Sequence, residues 1–148
     1  MATIKTYTHQ TPPTAEEKGA IISFLYKHLD AYGDPEADIE KAINYSLKEN
    51  NSPGGIVLAS WDGANLVGAV VINKTGMQGY IPENILVYIA THADYRGKGI
   101  GKALMQQAIA ETEGDIALHV EPDNPAKKLY ENLGFTNKYL EMRLKKGR

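Results

Sequence analysis

The 148-residue sequence contains no cysteine, and this absence excludes several kinds of chemistry. A chain without thiols forms no disulfide and no thiolate zinc site, and it has no cysteine that could form a thioester with a substrate. The four histidines (His9, His28, His92 and His119) are scattered, without the spacing of metal ligands. No serine lies in the pattern of a nucleophile elbow. We therefore expect no metal ion and no covalent enzyme intermediate.

Long apolar runs, internal repeats and an excess of positive charge are also absent. No run is long enough to span a membrane, and the first residues lack the apolar core of a signal peptide. The formal net charge is −2, which argues against a nucleic-acid surface. The length fits one domain with a substantial core. We expect a single domain over residues 1–148, located in the cytoplasm, with neither a membrane nor a nucleic acid as partner.

Residues 95–102 are the most informative stretch that is present. They read Tyr-Arg-Gly-Lys-Gly-Ile-Gly-Lys, with three alternating glycines among three cations. An apolar, β-favouring run precedes them at 84–91, and an amphipathic helical pattern follows. Glycine allows a ligand to approach the backbone closely, and the start of a helix favours negative charge. The pattern predicts a phosphate-binding loop, while a plain glycine-rich turn is the alternative interpretation.

Two common phosphate-binding motifs do not fit this stretch. A nucleotide-triphosphate loop needs glycine where Arg96 stands, and it needs serine or threonine where Ala103 stands. The dinucleotide fingerprint needs a third glycine where Lys102 stands.

The remaining pattern resembles the acetyl-CoA loop of the GNAT superfamily of N-acetyltransferases. That loop has arginine or glutamine, two residues, glycine, one residue, and then glycine or alanine; residues 96–101 follow it. Residues 124–135, Asn-Pro-Ala-Lys-Lys-Leu-Tyr-Glu-Asn-Leu-Gly-Phe, resemble the later signature of the same superfamily. The resemblance covers residues 84–135, and the rest of the chain is compatible with it.

The resemblance implies the GNAT fold, which is an α/β (α+β) fold. It has a mixed, mostly antiparallel sheet with a central splayed pair of parallel strands, flanked by helices. Local patterns predict the same order of elements, including a Thr14/Glu17 capping box and a second helix capped by Asp34 before Pro35. Strands at 84–91 and 116–120 should form the parallel pair. A helix at 125–133 and final strands near 135–137 and 139–144 complete the prediction.

The resemblance also implies an enzyme that transfers the acetyl group of acetyl-CoA directly to a primary amine. The backbone of Ile89, Ala90 and Thr91 would pair with the pantetheine arm. Tyr130 would lie at the cofactor and protonate the leaving thiolate, although it also fits a buried aromatic. Asn124 would contact the pantetheine arm, cap the last helix, or both. The residues expected at the pyrophosphate are Arg96, Gly97, Lys98, Gly99, Ile100, Gly101 and Lys102.

The general base is less clear, because Ile85 stands near the position where relatives carry a strand carboxylate. Glu83 lies two residues earlier on the same strand face and is the first candidate. His119, Glu121 and, through water, His92 are the others, and water alone is a further alternative.

The amine that accepts the acetyl group is expected to contact residues 14–50 and 75–83. These segments contain Tyr26, Tyr32, Tyr45, Tyr80 and Glu83, which would suit the primary amine of a small molecule or a peptide. Two other interpretations stay open: a non-catalytic acyl-CoA-binding or sensor module of the same fold, and an unrelated nucleotide-binding regulator. A homodimer is compatible with the sequence, although no residue pattern demonstrates an interface.

Overall fold

The computed structural model describes residues 2–147, which divide into two compact units meeting in sequence at Leu118 and His119. The first unit contains the whole sheet and three α-helices, and the second contains one α-helix. The elements are β1 (Thr3–Tyr7), α1 (Ala15–Leu29), α2 (Glu36–Ser46), β2 (Gly55–Asp62), β3 (Asn65–Lys74), β4 (Asn84–Thr91), α3 (Ile100–Glu111), β5 (Ile116–Leu118) and α4 (Ala126–Asn132). Short 3₁₀ turns lie at Asp30–Tyr32 and Ala93–Tyr95.

The five strands lie in the order of the chain, from β1 to β5. The first three pairs are antiparallel, and β4 and β5 are parallel. A two-residue turn containing Gly63, whose φ is 62°, joins β2 to β3. The mixed sheet and its parallel pair confirm the predicted fold class.

The sheet has packed helices on both of its faces. Val57, Ala59 and Val71 belong to one core cluster with α1 and α2 side chains such as Ile21 and Ile39. Because side chains alternate along a strand, the intervening residues of β2 and β3 face the other way, toward α3. That helix buries Leu104, Met105 and Ala108, whereas Ile109 is 38% exposed.

Gly68 lets α3 approach β3 closely. A Cβ atom added at Gly68 would lie 2.7 Å from Leu104 Cδ1 and 2.8 Å from Ile100 Cγ2. Both contacts are shorter than normal packing allows, and Ile100 is the first residue of α3. The glycine therefore sets how near the start of this helix lies to the sheet.

Gly68→Val is expected to lower the free energy of unfolding by about 1–3 kcal/mol, because the added methyl groups overpack the contact with α3. Denaturant unfolding measures the change. Gly19→Val is the control, since a Cβ at Gly19 meets no atom within 4 Å. Equal stability of Gly68→Val and the parent protein would contradict the proposed role of Gly68.

Several predicted element boundaries were wrong. Strand β5 ends at Leu118 rather than at residue 120, and it is the outermost strand of the sheet. The two final strands are not formed: within residues 2–147, no strand ladder includes any residue after Leu118. Residues 139–144 alternate as a strand would, but their apolar side chains (Tyr139, Leu140, Met142 and Leu144) are 79–89% exposed. Alternation makes a strand only where the backbone finds a partner ladder.

Candidate active site

The glycine loop joins the end of β4 to the start of α3. Gly97 and Gly99 have φ angles of 79° and 81°, in the left-handed region that favours glycine. A Cβ added at either position would meet no atom within 4 Å. These two glycines are therefore required by the backbone conformation and not by crowding.

The backbone amides of this loop are available to a ligand. The first hydrogen bond of α3 runs from the Ala103 amide to the Gly99 carbonyl at 3.0 Å, and no side chain caps the helix. Among the described residues, the amides of residues 97–102 donate no hydrogen bond of normal geometry to another residue. They lie at the positive end of a 12-residue helix. The loop can thus present several N–H donors to one anion.

Arg96 holds the loop in place through backbone contacts. Its Nε donates to the Thr91 carbonyl at 3.3 Å, and its Nη2 donates to the His28 carbonyl at 3.2 Å. The guanidinium therefore ties the end of β4 to the end of α1 directly before the glycines. Lys98 lies against the same region, with its Nζ 5.3 Å from the centroid of the Tyr95 ring.

A β-bulge alters β4 where its pairing with β5 stops. Tyr88 pairs with Val71 and Leu86 with Ile72, so Val87 is an extra residue in β4. The described ladder between β4 and β5 ends at Leu86. A bulge bends a strand and increases its twist, and bulges are common beside active sites.

Beyond the bulge, one edge of β4 is open. The His92 amide donates to the Val67 carbonyl of β3 at 2.9 Å. Because N–H directions alternate along a strand, the amides of Ile89 and Thr91 point to the opposite edge. No strand pairs with that edge among the described residues. An extended ligand could bind there as an additional strand would.

Asn124 and Tyr130 both belong to the second unit. Asn124 Oδ1 accepts a hydrogen bond from the Ala126 amide at 2.9 Å, so its side chain supports the start of α4. The Tyr130 ring packs edge-on to Phe135, with centroids 5.9 Å apart, and only 7% of the residue is exposed. Burial raises the pKa of Tyr130 to about 12, so the phenol stays protonated at neutral pH.

Glu83 directly precedes β4 and is engaged by two backbone amides. Its Oε2 accepts from the Gly79 amide at 3.0 Å, and its Oε1 accepts from the Asp115 amide at 2.8 Å. These bonds lower the pKa of Glu83, with the Gly79 bond the larger cause. A carboxylate held in this way is a weaker base than a free one. It also joins the 75–83 connection to the residue before β5.

Glu83→Gln is expected to make stability less dependent on acid pH. The lowered pKa means that the Glu83 carboxylate stabilises the fold fully above about pH 4.5, the ordinary value, and that this contribution is lost as the pH falls through the lowered pKa. Glutamine cannot ionise and replaces one acceptor oxygen by a donor. The difference in unfolding free energy between the two proteins should therefore shrink below pH 4.5. If the unfolding free energies of the parent protein and Glu83→Gln changed with pH in parallel, the stabilising role of the Glu83 carboxylate would be contradicted.

The remaining candidate bases differ in their surroundings. His92 Nδ1 accepts from the Asp94 amide at 3.1 Å, and its ring centroid lies 4.4 Å from that of His28. Burial and then the charge of His92 lower the pKa of His28. His119 and Glu121 were predicted on a strand, but β5 ends before both and both are exposed.

Sequence reasoning missed a contact between β4 and the residue before α2. Tyr88 donates its hydroxyl to Asp34 Oδ2 at 2.5 Å. Asp34 was predicted to cap α2, but Pro35 is the N-cap and no side chain caps that helix. The two partners are 54 positions apart, so no local pattern could have indicated the bond.

Comparison with known proteins agrees with this geometry. Residues 9–135 match the sequence profile of the Acetyltransferase (GNAT) family. The chain belongs to this family. An acetyltransferase of Yersinia pestis (strain Pestoides F) is 30% identical to this GNAT chain over 122 residues, covering 77% of this chain and 78% of that protein.

Two solved structures show the same GNAT fold. The ribosomal-protein-alanine N-acetyltransferase of Brucella melitensis biovar Abortus 2308 superposes with a TM-score of 0.65 at 20% identity, covering 98% of this chain and 99% of that chain. A chain of the NatC complex bound to Gag peptide and CoA gives a TM-score of 0.71 at 19% identity, and the superposition covers 93% of this chain and 86% of that chain. Within residues 2–147, no helix of this GNAT protein is long and apolar enough to cross a membrane.

Proposed function

We propose that this protein transfers the acetyl group of acetyl-CoA directly to a primary amine of a small molecule or peptide. The observation that carries the proposal is the set of amides at residues 97–102, which donate no hydrogen bond of normal geometry to the described residues and lie at the positive end of α3. Several N–H donors directed at one point fit the negatively charged oxygens of a diphosphate. Family membership supports the acyltransferase class.

The open edge of β4 would orient the pantetheine arm. Ile89 and Thr91 direct their amides to that edge, and Ala90 lies between them. Hydrogen bonding along the edge would align the arm with the strand and fix the position of the thioester. An amide near the bulge would then stabilise the oxyanion that forms on the acetyl carbonyl. Arg96 would act mainly by positioning the loop, because its guanidinium already bonds to two backbone carbonyls.

The reaction needs a proton for sulfur and a way to remove one from nitrogen. The amine nitrogen attacks the acetyl carbon, the carbon–sulfur bond breaks, and the electron pair goes to sulfur. The Tyr130 phenol, which is protonated at neutral pH, would give its proton to the thiolate and regain one from water. Water would accept the ammonium proton, because the Glu83 carboxylate already accepts two amide bonds.

The acceptor class draws support from two relatives of the same fold. One is a ribosomal-protein-alanine N-acetyltransferase, and the other was solved with a peptide and CoA. A peptide amine is therefore as suitable a probe as a small amine. Two observations favour the alternative function, a non-catalytic acyl-CoA-binding module: Ile85 stands where relatives carry a strand carboxylate, and the Glu83 carboxylate already accepts two amide hydrogen bonds.

A ligand panel followed by a turnover assay tests the proposal. Acetyl-CoA and CoA should raise the melting temperature more than ATP or NAD does. A ligand present at 100 times its Kd stabilises the folded protein by about 2.7 kcal/mol. Acetyl-CoA mixed with amines and peptides should then release free thiol. Stronger stabilisation by ATP or NAD would overturn the cofactor assignment. Stabilisation by CoA without thiol release from any amine would support the binding module instead.

A further inference from the structure

A cavity of about 520 Å³ lies between the end of α1 and the start of α2. This volume is in the range of small-ligand sites. The walls combine one aromatic ring, one ammonium group and two carboxylates. They are formed by Tyr26, Lys27, Asp30, Gly33, Asp34 and Pro35.

Asp34 is held at the cavity wall by a residue of the sheet. Its Oδ2 accepts the Tyr88 hydroxyl hydrogen bond, and Tyr88 is buried with 7% exposure. The bond fixes the direction of an otherwise exposed carboxylate. Asp34 Oδ1 accepts no hydrogen bond from the described residues, and the side chain does not cap α2. One carboxylate oxygen therefore stays available to a ligand.

The charge of the cavity favours a cation. Asp30 and Asp34 outnumber Lys27 among the ionisable side chains of the wall. Asp30 is also the C-cap of α1, where the carbonyl ends of the helix attract positive charge. Tyr26 is 53% exposed, so its ring face can contact an ammonium group.

We propose that this cavity binds a positively charged group of the acceptor, with Asp34 as its ligand and Tyr88 as the residue that positions Asp34. The proposal rests on the proposed acetyltransferase function for its link to catalysis. Tyr88 provides that link, since it lies on β4 between the bulge at Val87 and the open-edge residue Ile89. A ligand at Asp34 is thereby connected to the strand along which the thioester would lie. The substrate class is an amine with a second cationic group, such as an aliphatic diamine or a basic peptide.

Binding of 1,5-diaminopentane to the full chain tests the site without any need for turnover. The uncharged probe is 1,5-pentanediol, which has the same length. The parent protein should bind the diamine and not the diol, and Asp34→Asn should weaken diamine binding about fivefold. Asp38→Asn is the matched control: it removes a nearby carboxylate that does not line the cavity, and it should leave the affinity unchanged. Equal affinity of the parent and Asp34→Asn, or no diamine binding by the parent, would overturn the proposal.

Measurements of KM and kcat distinguish failure of the cation-site proposal from failure of the proposed acetyltransferase function. Tyr88→Phe should raise the KM for the diamine about threefold with little change in kcat, because Asp34 loses the hydrogen bond that orients it. If Tyr88 had only a structural role, the substitution would lower the melting temperature and leave KM unchanged. Diamine binding that depends on Asp34, without acetylation, would support the cation site and reject the transferase. Acetylation with a KM that Asp34→Asn does not change would reject the cation site and leave the transferase intact.

Discussion

Gly99→Glu is expected to abolish measurable coenzyme A binding while the protein stays folded. A side chain at this position enters open space, so no atom of the protein is displaced. The left-handed φ of 81° costs a residue with a Cβ about 1–2 kcal/mol. The carboxylate would lie among the amides that receive the diphosphate. Like charges brought together in this way cost several kcal/mol, which corresponds to a loss of affinity of at least about 100-fold.

Gly63→Glu is the matched control for this substitution. Gly63 also has a left-handed φ, 62°, and a Cβ there meets no atom within 4 Å. Both variants therefore have a similar backbone cost, but only Gly99→Glu adds charge at the loop. Calorimetric titration with CoA should show normal binding by Gly63→Glu. Normal binding by Gly99→Glu would remove the glycine loop from the cofactor site.

Tyr130→Phe is expected to lower kcat about 100-fold with the Kd for CoA nearly unchanged. The substitution keeps the aromatic ring that packs against Phe135 and removes only the hydroxyl. Without a proton donor, the thiolate must leave as an anion or take its proton from water. The size of the effect follows the usual range for the loss of a general acid.

Tyr139→Phe serves as the control, because Tyr139 is 79% exposed. It removes a phenol from the same unit of the chain and should leave kcat unchanged. Thiol release under saturating substrates gives kcat for each variant, and a CoA titration gives Kd. If Tyr130→Phe retained full turnover, Tyr130 would be a packing residue only.

Features set by neighbouring residues could be predicted from the sequence. The Thr14 and Glu17 side chains each bond to the other's backbone amide, at 3.1 Å and 2.9 Å, as the capping box predicts. Gly97 and Gly99 adopt the left-handed backbone that only glycine accommodates readily. In each case the residue type itself limits the local geometry.

Features set by distant contacts could not be predicted. The local sequence predicts that Asp34 caps α2, but its carboxylate instead accepts a hydrogen bond from the Tyr88 hydroxyl of β4. The sequence predicts that the Glu83 carboxylate is free to act as a general base, but it accepts a hydrogen bond from the Asp115 amide, 32 positions away. Residues 139–144 alternate correctly, and whether they form a strand depends on a ladder partner that a local pattern cannot specify. Tertiary contacts override local preference at all three positions.

Titration of the ¹⁵N-labelled protein with CoA, followed residue by residue through the amide resonances, tests the central claim most directly. The account predicts that the largest shifts lie at the amides of residues 97–102, with smaller shifts at Ile89 and Thr91. CoA binding that leaves the amides of 97–102 unshifted, with the changes elsewhere, would contradict it.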